Sequence, residues 1–271
     1  MDTVTHLFNS YLPEPHASLL NGILLGRPLF VTNTFYNQLK TVGLIHIVVL
    51  SGMNITLLSA IVLRSTVPLI GRRFAMLLTV AIIISFIFFV GPEAPVVRAG
   101  IMGVLSLVGL LFGRKTITLY ALFLSAVIMI LINHTWLTSI SFQLSFAATL
   151  GIILFGSPVK NDDIPNSPDH QSHGLANYIF DELRISLSAQ VFTVPIIFYY
   201  FRQISLVAPI ANILIAWLIA PIMILGLIII PLGLINWQLG FVASWSVYPL
   251  LSVIVFVVES LSKIPYASFN L

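Results

Sequence analysis

The sequence predicts an all-α fold: a polytopic transmembrane helical bundle of about eight spans, with broken or re-entrant helices. Three observations carry this. Of 271 residues, 58% are hydrophobic and only 8% charged, where a soluble domain carries about 25% charged residues. The apolar residues come in runs of spanning length, about 17–25 residues, separated by short links. Pro and Gly fall inside several runs, where a membrane helix bends and its neighbours satisfy the freed backbone groups. No soluble domain of useful size fits between the runs. Residues 1–42 read as an N-terminal lead-in with interfacial or re-entrant segments, and residues 43–271 as the multi-span membrane domain.

In order along the chain, residues 1–16 are polar with Pro13 and Pro15, and read as irregular. The N-terminus lacks the basic, apolar, small-residue order of a signal peptide, so the spans themselves must direct insertion. The apolar patch around Leu19, Leu20, Ile23, Leu24 and Leu25 is too short to span and suits an interfacial or re-entrant position. Residues 33–42 form an amphipathic turn or two. The first span covers about 44–63. A basic connection, Arg64 to Arg73, leads to a second near 74–90, which Gly91-Pro92 ends. Pro95 suits the first turn of a third, about 95–112. Gly113-Arg114-Lys115 links it to a fourth, about 116–132, and a turn with Trp136 to a fifth, about 137–155.

Residues 156–184 form the long polar connection: a Ser/Pro/Asn/Asp-rich loop, then a short amphipathic helix at 174–184 with Leu175, Ile179 and Leu183 on one side. A sixth span, about 185–201, contains Pro195. A seventh starts near Leu206 and has a break predicted at Pro221; an eighth runs about 238–258. Arg64, Arg72 and Arg73, then Arg114 and Lys115, mark one side of the membrane. The positive-inside rule makes it the cytoplasm, places the 156–184 loop there and puts both ends of the chain outside.

Within the first apolar segment sit His46, Ser51, Gly52 and Asn54. Polar groups are costly in hydrocarbon and normally face protein or a wet cavity. On a continuous helix Gly43, His46, Ser51 and Asn54 share an arc of about 140°. The plain alternative is helix packing, since Gly and Ser let helices approach closely. The fifth span places Thr138, Ser141, Ser145 and Thr149 on one stripe, with Gln143 on the far side; the sixth sets Ser186, Gln190 and Thr193 on one face; Asn212 lies in the first turns of the seventh. Arg98, one turn into the third span, either snorkels to the interface or turns inward. Turned inward, it offers a planar fork of donors to a phosphate or carboxylate. Glu93 is placed to pair with it across the helix start.

Several chemistries are excluded or disfavoured. With no cysteine, disulfides, thiolate metal sites and a Cys nucleophile are out. A serine protease of the rhomboid kind needs Gly-x-Ser-Gly and a His on another helix; here the run is Val49-Leu50-Ser51-Gly52, and His46 lies on the same helix as Ser51. His170 and His173, beside Asp162, Asp163 and Asp169, read as part of a solvated linker rather than a metal site. The chain is expected not to be an enzyme and to need no cofactor or metal.

Five runs, in order, carry a resemblance. They are Gly43-x-x-His46-x-x-x-x-Ser51-Gly52-x-Asn54; Arg98-Ala99-x-x-Met102, followed by Gly113-Arg114; Ser141-Phe142-Gln143-Leu144-Ser145-Phe146-x-Ala148; Ser188-Ala189-Gln190-x-x-Thr193-x-Pro195; and Ser205 with Asn212 and Pro221. Together they resemble the membrane "competence" domain of the ComEC-type DNA-uptake channel family, along roughly residues 17–225. Asn54 stands where that family usually has a second His. The resemblance implies passage of single-stranded DNA across the bacterial inner (plasma) membrane during natural transformation, by a multi-pass protein. Full-length members also carry an extracytoplasmic nucleic-acid-binding domain and often a metallo-β-lactamase-like nuclease domain. Separate nuclease and DNA-binding subunits are therefore the possible partners, besides DNA and the bilayer. The candidate path residues are His46, Ser51, Gly52, Asn54, Arg98, Gln143, Ser145, Gln190, Thr193 and Asn212. A small-molecule or ion transporter, or a membrane scaffold whose polar stripes only pack helices, are the alternatives.

Overall fold

The fold is described from a computed structural model, over residues 2–45, 52–113, 117–156, 175–265 and 267–270. It is helical throughout apart from one short ribbon. The N-terminal sixteen residues are not irregular: α1 spans Asp2–Tyr11. Val4, Phe8, Tyr11 and Leu12 are all buried, and their spacing of four and three residues makes one helical face. Pro13 and Pro15 follow the helix instead of disrupting it. α2 (His16–Leu25) has every residue buried, so it is a core helix. α3 (Asn33–Val42) starts on Thr32, whose side chain accepts from the Phe35 amide at 3.3 Å, an ordinary N-cap.

α4 covers Gly52–Val90 as two helical arms that meet at Gly71, inside the expected 64–73 connection. The reversal comes at a single residue, Gly71, with φ 76° and ψ 162°, a backbone shape essentially restricted to glycine. Gly52 lies against Ala99, and Ile87 lies against Gly100. A straight helix would hold Gly52 and Ile87 about 50 Å apart, so the two arms of α4 fold back on each other. α5 (Ala94–Leu111) has its Pro in the first turn, as expected. α6 (Thr118–Ile132) leads through a 3₁₀ turn, His134–Thr138, to α7 (Ile140–Phe155), which Ser139 caps.

α8 is one continuous helix, Leu175–Phe201, where an amphipathic helix and a separate span were expected. The boundary at 184/185 marked a change of composition; no Gly or Pro stands there to stop the backbone. A short antiparallel ribbon, absent from the all-α expectation, pairs β1 (Gln203–Ser205) with β2 (Ser268–Asn270), with Ile204 opposite Phe269. α9 (Ala208–Ile235) passes through Pro221 and Pro231 without the break predicted at Pro221. α10 is Trp237–Ser262.

Five of these helices are long and apolar enough to cross a membrane: Asn54–Val90, Ala94–Leu111, Phe180–Tyr200, Ala208–Ile235 and Trp237–Ser262. This is a membrane protein, but the expected count of about eight spans is not reached on that measure. α4 counts once although it folds at Gly71, and α6 and α7 have 15 and 16 residues, short of the roughly 20 that a span needs.

Packing divides the helices into two groups. α1, α2 and α3 close around α9 and α10 in one apolar core that includes Phe8, Leu20, Ile23, Leu39, Ile215 and Leu251. α4 and α5 share a second, smaller cluster around Ile55, Ile83 and Val96, and α5, α6 and α7 a third around Val97, Met129 and Phe142. α8 lies along α7: Gly151 sits directly beneath the Ser188 backbone, and the Arg184 Nε donates to the Phe155 carbonyl at 3.2 Å.

Candidate functional site: a buried arginine between α4, α5 and α7

Arg98 does not snorkel. Pro95 opens α5 and sets the helix phase, so that one turn later the Arg98 side chain crosses to α7. There its Nη1 donates to the Ser145 carbonyl and to the Thr149 hydroxyl. Thr149 Oγ1 also donates to the Ser145 carbonyl, at 3.0 Å, the back-bonding typical of Thr inside a helix. The guanidinium carbon stands 6.0 Å from the centre of the Phe146 ring, within cation–π range. Its acceptors are thus neutral oxygens, and Glu93 is not among them. Glu93 sits just before α5, where burial pushes its carboxyl above the usual range.

α4 reaches the same place through Gly52. A Cβ there would stand 2.6 Å from Arg98 Nη2 and 3.1 Å from the Ala99 Cβ. Only a residue without a side chain lets the start of α4 approach the guanidinium this closely. Three of the separated sequence runs therefore meet at one point: Gly52 from the first, Arg98-Ala99 from the second and Ser145 from the third.

The remaining candidates are placed elsewhere. Asn54 is 1% exposed and its Nδ2 donates to the Ile23 carbonyl at 2.7 Å. That carbonyl belongs to the last turn of α2, which lacks helical partners, so Asn54 ties α4 to the N-terminal core. Asn212 Nδ2 donates to Ser186 Oγ at 3.0 Å, joining α9 to α8; its Oδ1 is buried with no partner among the described residues. Gln143 Nε2 reaches the Leu137 carbonyl at 3.3 Å, and Thr193 Oγ1 the Ala189 carbonyl at 3.0 Å within its own helix. Gln190 is half-buried on α8. His46 and Ser51 lie outside the described residues, as do His170 and His173. No group of three or more His, Asp or Glu gathers as a metal site among the described residues.

Thr149 was missed as a site residue, although it stood on the expected polar stripe of α7. Its signal was its place four residues after Ser145, on the same helical face. Ser186 was likewise recognised as polar, but not as the partner of Asn212.

Comparison with known proteins gives a consistent picture. A family model described as "Competence protein" matches residues 23–271. The "ComE operon protein 3" of Bacillus subtilis (strain 168) is 25% identical over 207 residues, which is 76% of this chain and 25% of that protein. The chain thus spans about a quarter of the length of that curated relative. No solved structure matches.

Proposed function

Because the chain belongs to the competence protein family, we propose that it is a membrane core of DNA uptake, which passes single-stranded DNA across the bacterial inner membrane. The observation that carries this reading is the meeting of Gly52, Arg98, Ser145 and Thr149 between apolar helices. A conduit for a polyanion needs donors and fixed positive charge rather than acids. Arg98 supplies both, and its neighbours are neutral. The proposed role is that of a conduit and not of an enzyme, with separate nuclease and DNA-binding subunits as working partners.

A scaffold reading draws on Asn54 and Thr193, whose hydrogen bonds are spent inside the protein. The two readings part on one measurement, the uptake of labelled DNA in cells with and without the protein, and with Arg98→Gln at matched membrane levels. A conduit loses most of its uptake on that substitution, about tenfold or more for a lost charge-assisted contact. Normal uptake by well-inserted Arg98→Gln would remove Arg98 from the conduit's site residues and favour the scaffold.

A further inference from the structure

Arg98 has one side of its guanidinium engaged and the other buried without a partner among the described residues. Among the described residues its hydrogen bonds leave from Nη1, to the Ser145 carbonyl and the Thr149 hydroxyl. Its Nε–H is buried and has no partner among the described residues. In a guanidinium, Nε–H and one N–H of Nη2 point the same way. They form a side-on pair of donors that matches two oxygens of one oxyanion. Among the described residues that pair is unused, while the two Nη1 bonds to α7 fix the plane in which it lies.

Three further features suit the unpaired edge to an anion. The Nη2 end faces Gly52, which keeps a side chain out of contact with it. The neighbours in contact with it among the described residues, Ser145, Thr149, Gly52 and the Phe146 ring, carry no negative charge. A buried donor on a cation is expensive to leave without an acceptor, so such a site is completed by one.

We propose that the unpaired Nε/Nη2 edge of Arg98 is a binding site for a phosphodiester anion. The geometry asks for an oxyanion with two oxygens; the choice of phosphodiester rests on the DNA-uptake reading. Two sources share that chemistry, the backbone of a nucleic acid strand and the headgroup of a phospholipid. Thr149 and Ser145 are positioning groups: they orient the fork and do not touch the ligand.

The test uses the full chain in maltoside detergent and in nanodiscs containing phosphatidylglycerol. Affinity is read by fluorescence anisotropy, for labelled oligothymidylate and for the same oligomer with an uncharged methylphosphonate backbone. Wild-type protein should prefer the phosphodiester by about tenfold or more, the equivalent of one charge-assisted bond. Arg98→Lys, which keeps the charge without the fork, should retain part of that preference, and Arg98→Gln none. Thr149→Val should weaken it less than either, because the Ser145 carbonyl still holds Nη1. Arg98→Lys keeps the test decisive should Arg98→Gln fail to insert.

Phospholipid co-purifying with each variant is measured in parallel. If Arg98→Gln loses bound lipid but keeps its oligonucleotide preference, the site stands with a headgroup as its ligand, and the DNA reading loses this support. If the oligonucleotide preference depends on Arg98 while cells carrying Arg98→Gln take up DNA normally, the uptake reading fails and the site stands. A folded Arg98→Gln or Arg98→Lys protein that matches wild type in both oligonucleotide preference and bound lipid overturns the proposal.

Discussion

The first core and the Arg98 region solve the same problem in opposite ways. Around α1, α2, α3, α9 and α10, large apolar side chains interlock; Phe8, Leu20, Ile23, Leu39, Ile215 and Leu218 are each 0% exposed. Between α4, α5 and α7 a cation is held by neutral oxygens. Helices in a bilayer gain little from burying leucine against leucine, because lipid is equally apolar. Close apolar packing in the first core therefore reads as a rigid frame, which fixes the ends of the chain together. The second region keeps a polar group inside at a cost in stability, which is the usual mark of function in a membrane helix.

That contrast can be broken most sharply at Phe8. Phe8→Ala should destabilise the protein by about 3–5 kcal/mol, read as a fall in thermal midpoint in detergent. An unchanged midpoint would mean that α1 is not part of the frame. The next effect is at the fold of α4. Gly71→Ala forces a side chain into a glycine-only backbone region and should cost about 1–3 kcal/mol, while Gly91→Ala tests whether a positive φ of 116° alone gives the same loss. Equal tolerance of Ala at both positions would argue that the arms of α4 are held by their packing on α5, not by the turn.

A smaller loss is expected for the link between the two regions. Asn54→Ala removes the bond to the Ile23 carbonyl and should cost about 0.6–1.7 kcal/mol, the range for interhelical hydrogen bonds in membranes. A double substitution with Arg98→Gln should be additive in stability if the link and the arginine act independently; strong coupling would merge the two regions into one.

The smallest effect concerns a titratable group inside the apolar frame. His16 stacks on Tyr248, with ring centroids 4.6 Å apart, and its Nε2 lies 3.0 Å from Ser252 Oγ. Burial pulls its pKa below the ordinary His value, against smaller opposing effects of the Pro13 backbone and Glu14. Stability from neutral His16 is therefore present above the unfolded-chain value, about 6.5, and is lost as pH falls through the lowered folded value. The thermal midpoint of wild type should drop on acidification below that value more than that of His16→Gln. Parallel curves for the two proteins would remove His16 as the cause.

Much of this organisation was legible in the residues. Pro95 at a helix start and the polar stripe containing Ser145 and Thr149 follow from local chemistry, and the structure places each as a helix signal should. The errors were of two physical kinds. α1 was hidden because a short face of Val4, Phe8 and Tyr11 among polar neighbours has little weight until something packs on it. The break at Pro221 and the boundary at 184/185 were drawn from composition. A long helix supported by neighbours tolerates Pro, and the backbone does not register a change from charged to apolar side chains.

By itself the sequence determined the solvent and the local elements: apolar content required a bilayer, and glycine, proline and capping residues set most helix ends. It also placed Ser145 and Thr149 on one helical face, because periodicity reports the angle of a residue about its own axis. Only the tertiary structure decided which face meets which. Arg98 meets Thr149, 51 residues on, and Asn54 meets Ile23 rather than the arginine. The physical reason is that lipid and leucine are alike to a membrane helix, so its apolar pattern does not say which side is covered by protein. That choice is made by the few pairings that satisfy buried donors and let backbones approach, and those pairings exist only once the helices are packed.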